Sequence, residues 1–146
     1  METVHGRTWV TRRGIKVDRI SSAWLIRRFI DPEAQFRFVD PKGFVPADGE
    51  LRFDMFDAEY THEGPRCTFE TLVHRFGLTD PGLAALGEIV HDVDFKEHTF
   101  GREETAGVAR MIDGLAARYT DDEERLNHGS ALFEALHAAL SAPRTA

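Results

Sequence analysis

The segment from Arg19 to Ile30 constrains this 146-residue chain most, because it carries an apolar helical face interrupted by arginines. At ~100° per residue, Ile20, Ala23, Trp24, Ile26 and Ile30 share one broad face. Asp18 is a good N-cap, and Asp31-Pro32 closes the helix, since the residue before proline resists the α region. On this wheel Arg27 falls in the middle of the apolar face and Arg19 between Ile26 and Ile30. A guanidinium keeps its proton, so burial there demands a carboxylate, backbone carbonyls or a bound anion. A structural Arg–carboxylate pair or a snorkelling stem is the plain reading. The sharper one is an oxyanion clamp: Arg19 and Arg27 offer planar forks to a tetrahedral anion, Lys16 adds charge, and the helix start adds amide donors.

Around this helix the chain reads as short strands first and helices afterwards. Thr8 to Thr11, Phe36 to Val39 and Leu51 to Met55 have strand character, separated by turns such as Asp40-Pro41-Lys42-Gly43 and Ala47-Asp48-Gly49. From Pro65 the period becomes helical. Phe69, Leu72, Val73 and Phe76 form a stripe ended by Gly77, and Asp80-Pro81 opens a helix bearing Leu83, Leu86, Val90 and Val93. Val108 to Tyr119 is a fourth helix, and Thr120-Asp121-Asp122 starts a fifth. This order predicts an α+β fold, or a small α/β sheet, with one helix in the first half and four in the second. One domain over residues 1–146 is expected, with its core at about 8–140.

Eighteen Lys and Arg against 25 Asp and Glu give a net charge of −7, which argues against a nucleic-acid-binding face. The single cysteine, Cys67, permits no intrachain disulfide, and no apolar run approaches the ~20 residues of a membrane span. A cytoplasmic protein is expected.

Two further clusters hold ligand-type residues. Cys67, Glu70 and His74 lie opposite the Phe69/Leu72/Phe76 stripe, with His62 arriving from the preceding loop. They read either as a solvated polar face with an incidental thiol or as metal ligands, and Cys67 near a helix start is a candidate reactive thiolate. In His91-Asp92-Val93-Asp94, Asp94 lies on the apolar face, His91 at its edge, and Asp92 points away. A carboxylate facing a core needs a partner: Arg19 or Arg27 structurally, or a metal shared with His91. Imidazole and oxygen ligands together suit zinc, manganese or iron.

Four blocks, in order, resemble the ChrB-type chromate resistance domain family: Gly14 to Pro32, Phe53-Asp54-Met55-Phe56-Asp57-Ala58-Glu59, His62 to Glu70, and Ile89-Val90-His91-Asp92-Val93-Asp94. In its longer members this domain resembles a C-terminal sensor module behind a DNA-binding region, which this chain lacks, so DNA binding is not expected of it. The resemblance implies a role in chromate resistance, and chromate is a tetrahedral dianion of the kind an arginine pair would hold. The expected function is therefore oxyanion binding through Lys16, Arg19 and Arg27, beside a divalent-metal site of His62, Cys67, Glu70, His91 and Asp94. The competing expectation is a metal-dependent enzyme acting on a small phosphorylated or oxyanion substrate, with Glu63 or Glu70 as base and the arginines as charge clamp. A third is an interaction domain whose polar clusters are internal salt bridges.

Overall fold

In the computed structural model, which describes residues 2–142, the first strand occupies the centre of a small parallel sheet. Strand β1 (Thr8–Arg12) pairs with β2 (Gln35–Val39) on one side and β3 (Leu51–Arg52) on the other, with Thr8 opposite Gln35 and Trp9 opposite Leu51. Helix α1 (Val17–Leu25) makes the crossover from β1 to β2, as parallel pairing requires. Four helices follow: α2 (Thr68–Arg75), α3 (Pro81–Phe95), α4 (Thr105–Arg118) and α5 (Asp122–Ser141). The fold is thus α+β, with a single βαβ unit at its start.

Helix α1 is the hub, touching α2, α3 and α5. Its residues from Ile20 to Leu25 are all buried, and Ile20, Ala23, Trp24 and Leu25 form one core with Trp9, Phe53, Phe69, Leu86 and Phe133. The chain enters α1 over Gly14, whose φ of 76° suits glycine, while the Asp122 carboxylate accepts from the N–H groups of Gly14 (3.0 Å) and Ile15 (2.9 Å). Asp122, in the first turn of α5, therefore ties α5 to the entrance of α1. Gly129 of α5 faces Ile20 so closely that a Cβ there would collide with its side chain. At the other end Asp31 is buried and accepts from Gly6 N, Arg7 N and Trp9 Nε1. Burial works to raise its pKa, but these donors outweigh it and hold the carboxyl below its ordinary range.

Four expectations need correction. The helix begins at Val17, with Lys16 at the N-cap, so Asp18 lies in the first turn and does not cap its own helix. After Leu25 the helix widens into a π turn, Ile26–Ile30, closed by Asp31 N–H donating to Ile26 O at 2.6 Å. A helical wheel gives direction and not depth. This last turn runs past the core, so Arg27 is exposed, donating to Ala34 O (3.2 Å) with its guanidinium over the Phe36 ring. The third strand stops at Arg52, because Asp54 and Asp57 take positive φ values of 50° and 58° and turn the chain. Asp92 does not point away but is buried, accepting from Phe100 N (3.0 Å) and Gly101 N (3.1 Å).

Candidate functional site

The start of α1, the turn after β3, the loop before α2 and the end of α3 converge on one point. They deliver Asp18 and Arg19, Asp54, His62 and Asp94 respectively. Asp18 comes first in the build, because its carboxylate caps a different helix: Oδ2 accepts from Thr68 N and Oδ1 from Phe69 N, both at 2.9 Å. Cys67 is the N-cap of α2 without a side-chain oxygen, so a buried carboxylate from α1 satisfies the amides that serine or aspartate normally would.

His62 then points Nε2 into three carboxylates. That atom is 3.2 Å from Asp18 Oδ2, 3.4 Å from Asp94 Oδ2 and 3.5 Å from Asp54 Oδ1. Thr68 Oγ1 donates to Asp54 Oδ1 (2.9 Å), and Arg19 Nε lies 3.3 Å from Asp54 Oδ2 while donating to Asp54 O. Three acidic groups thus face one permanent cation and one imidazole. Burial, then the charge of Asp18, pushes Asp54 up; burial, then Asp18 and Asp54, pushes Asp94 up to about 6. The hydrogen bond to Asp18 raises His62 despite its partial burial. A single Nε2–H serves one acceptor well, whereas three oxygens crowd this nitrogen. Ligand atoms of Asp18, His62 and Asp94 all lie within 4.8 Å of one another, a spacing that a metal ion can bridge.

A second cluster lies beyond Phe95, whose ring is 5.2 Å from that of His62 and 4.6 Å from that of His91. Here His91 Nδ1 is 2.7 Å from Glu70 Oε1, and its Nε2 is 3.1 Å from Glu97 Oε2. Burial opposes the charged imidazole, but hydrogen bonds and charge from Glu70 and Glu97 raise its pKa on balance. Glu70 also accepts from Cys67 N, closing a capping box at the start of α2.

The residues singled out from sequence therefore divide. His62 and Asp94 meet, joined by Arg19, while Glu70 and His91 meet separately. Cys67 belongs to neither ligand set among the described residues, and its thiol is fully buried. Burial first, then Asp18, drives its pKa far upward, so the expectation of a reactive thiolate fails. Lys16 and Arg27 are exposed, and Arg27 is occupied with Ala34 and Phe36 while Arg19 is occupied with Asp54. Glu63 pairs with Arg75 (2.9 Å). The sequence does not single out Asp18, Asp54, Asp92 and Glu97 as ligands. Asp18 reads as a cap, and only the left-handed turn brings Asp54 inward.

Among the described residues, no helix is long and apolar enough to cross a membrane. The family model described as "ChrB, C-terminal domain" matches residues 9–140. A curated relative, Protein ChrB of Cupriavidus metallidurans, is 39% identical over 140 residues, covering 95% of this chain. The chain spans 42% of that relative's length. No solved structure matches.

Proposed function

The chain belongs to the ChrB C-terminal domain family, and from that membership we propose that it serves chromate resistance as a module that holds a divalent cation at Asp18, Asp54, His62 and Asp94. One observation carries this reading: His62 Nε2 lies 3.2–3.5 Å from oxygens of all three carboxylates. Metal bonds of ~2.1 Å put neighbouring ligand atoms roughly 3.0–3.4 Å apart, which is close to that spacing. Burial first, and then repulsion among the acids, raises the pKa values of Asp54 and Asp94, and a cation would offset both. The oxygen-rich set with one imidazole suits manganese, iron or zinc.

The same charge balance reshapes the oxyanion expectation. Three carboxylates repel a free dianion, and Arg27 is occupied with Ala34 O and the Phe36 ring. An oxyanion such as chromate would therefore reach the site as a further ligand of the bound cation, with Arg19 at its flank. The hydrolytic reading has less support, because its two candidate bases are engaged elsewhere, Glu63 with Arg75 and Glu70 with His91.

Elemental analysis of protein purified without added metal, followed by chelation and thermal melting, tests the reading. We expect a bound divalent ion, a lower Tm after chelation, and recovery with Mn²⁺ or Zn²⁺ that Asp94→Asn diminishes. Chromate should raise Tm further only in the metal-loaded protein. A chelated chain whose Tm ignores Mn²⁺, Fe²⁺ and Zn²⁺ alike would overturn the cation site.

A further inference from the structure

We propose a second divalent-cation site, formed by His91, Asp92 and Glu97, with Glu70 as the group that orients the imidazole. It stands independently of the first site, since the two share no ligand and the Phe95 ring lies between their histidines. Helix α3 presents His91 and Asp92 on its last turns. Lys96 then adopts a left-handed conformation (φ 55°) that ends the helix and turns Glu97 back, with Glu97 N–H donating to Asp92 O at 3.0 Å. A ring nitrogen of His91 and one carboxylate oxygen from each of Asp92 and Glu97 consequently lie within 4.8 Å of one another.

Two features point to a ligand rather than to an incidental polar cluster. Asp92 is 2% exposed, and while its Oδ2 accepts from Phe100 N and Gly101 N, its Oδ1 is buried with no hydrogen-bond partner. A buried carboxylate oxygen without a donor is costly, and a cation is one group that satisfies it. The imidazole is held from both sides, with Nδ1 2.7 Å from Glu70 Oε1 and Nε2 3.1 Å from Glu97 Oε2. A cation that takes the place of the Nε2 proton would find the ring oriented by Glu70, the carboxylate–histidine–metal arrangement of many metal centres. Thr99 Oγ1 holds Glu97 Oε2 at 2.7 Å. Among the described residues, no Lys or Arg pairs with Asp92 or Glu97, so His91 is the only basic side chain in contact with Glu97.

The site is reachable. A cleft of about 380 Å³ is walled by Arg66, Glu70, His91, Phe95 and Glu97, and a second of about 410 Å³ by Asp92 and Glu97, so Glu97 borders both and an ion beside it would keep open positions for water or a small anionic ligand. One imidazole and two carboxylates make a donor set for zinc, manganese or ferrous iron and not for copper(I).

Calorimetric titration of the chelator-stripped full chain with Zn²⁺ tests this. We expect two ions per chain in the parent and one in Glu97→Gln, with the lost site weakened at least ~100-fold, since even the loss of an outer-shell partner costs about 10–100-fold. Glu97 is about half exposed, so its replacement leaves packing untouched, which an unchanged melting curve of the metal-free protein verifies. Glu70→Gln should weaken the same site about 10-fold. Asp94→Asn should retain it; if Asp94→Asn loses nothing while Glu97→Gln loses one ion, only the first site is wrong. A chain that takes up Zn²⁺ identically with and without Glu97, or takes up none, overturns the second.

Discussion

Asp18 does two things with one carboxylate. It caps the start of α2 through Thr68 N and Phe69 N, and it faces His62. Asp18→Ala would strand two buried amides and should cost about 2–4 kcal/mol in denaturant unfolding, at the upper end for a cap because both donors lose a charged partner. A cost below about 1 kcal/mol would mean that water replaces it. Asp94 makes a pH prediction. Its folded pKa of about 6 lies above the ordinary 3.8, so the folded state holds an extra proton between roughly pH 4 and 6. That contribution to stability is fully present below pH 4 and is lost as pH rises through 6. The raised His62 adds a loss of the same sign above its ordinary 6.5. Metal-free protein should therefore lose stability relative to Asp94→Asn between pH 4 and 6, and parallel curves would contradict the assignment. Cys67, fully buried and held as a thiol, should react with iodoacetamide only as the chain unfolds.

At the level of elements, most of the fold is legible in the residues. Asp80-Pro81 gives the start of α3 because the cap and the missing N–H both act within the segment, and Asp80 does accept from Gly82 N and Leu83 N. Asp31-Pro32 ends the first helix for an equally local reason. What is not legible is whatever depends on a second segment. The role of Asp18 belongs to α2, 50 residues away, and Asp54 turns inward because of backbone geometry that neither Phe53 nor Met55 announces. His62, Asp94, Glu70 and His91 are recognisable as ligand types, but their division into two clusters follows from Phe95 standing between them. The α1–α5 contact supplies a test at this level. Alanine at Gly129 would gain up to about 1 kcal/mol of helix propensity, yet it collides with Ile20. A net destabilisation of about 1–3 kcal/mol is expected from overpacking, and a stabilised variant would show that α5 shifts freely on α1.

Across the whole molecule, the net charge of −7 and the two acidic centres act in the same direction. Both favour cations and both disfavour a free dianion, so metal uptake should precede any oxyanion binding. At an ion concentration 100 times its Kd, one site contributes about 2.7 kcal/mol. At roughly 3 °C per kcal/mol for a chain of this size, that predicts a rise in Tm of about 8 °C for each site loaded. Arg27→Ala should leave this rise unchanged, because Arg27 rests on Phe36 away from both clusters; a loss of more than half would restore it to the binding machinery. The shared carboxylate of Asp18 has a mechanical corollary. Whatever settles beside His62 tugs on the same two oxygens that fasten the amino end of α2, so the peptide protons of Thr68 and Phe69 become a built-in gauge of occupancy. Their deuterium uptake should report, from a helix that never touches the guest, whether the seat is taken.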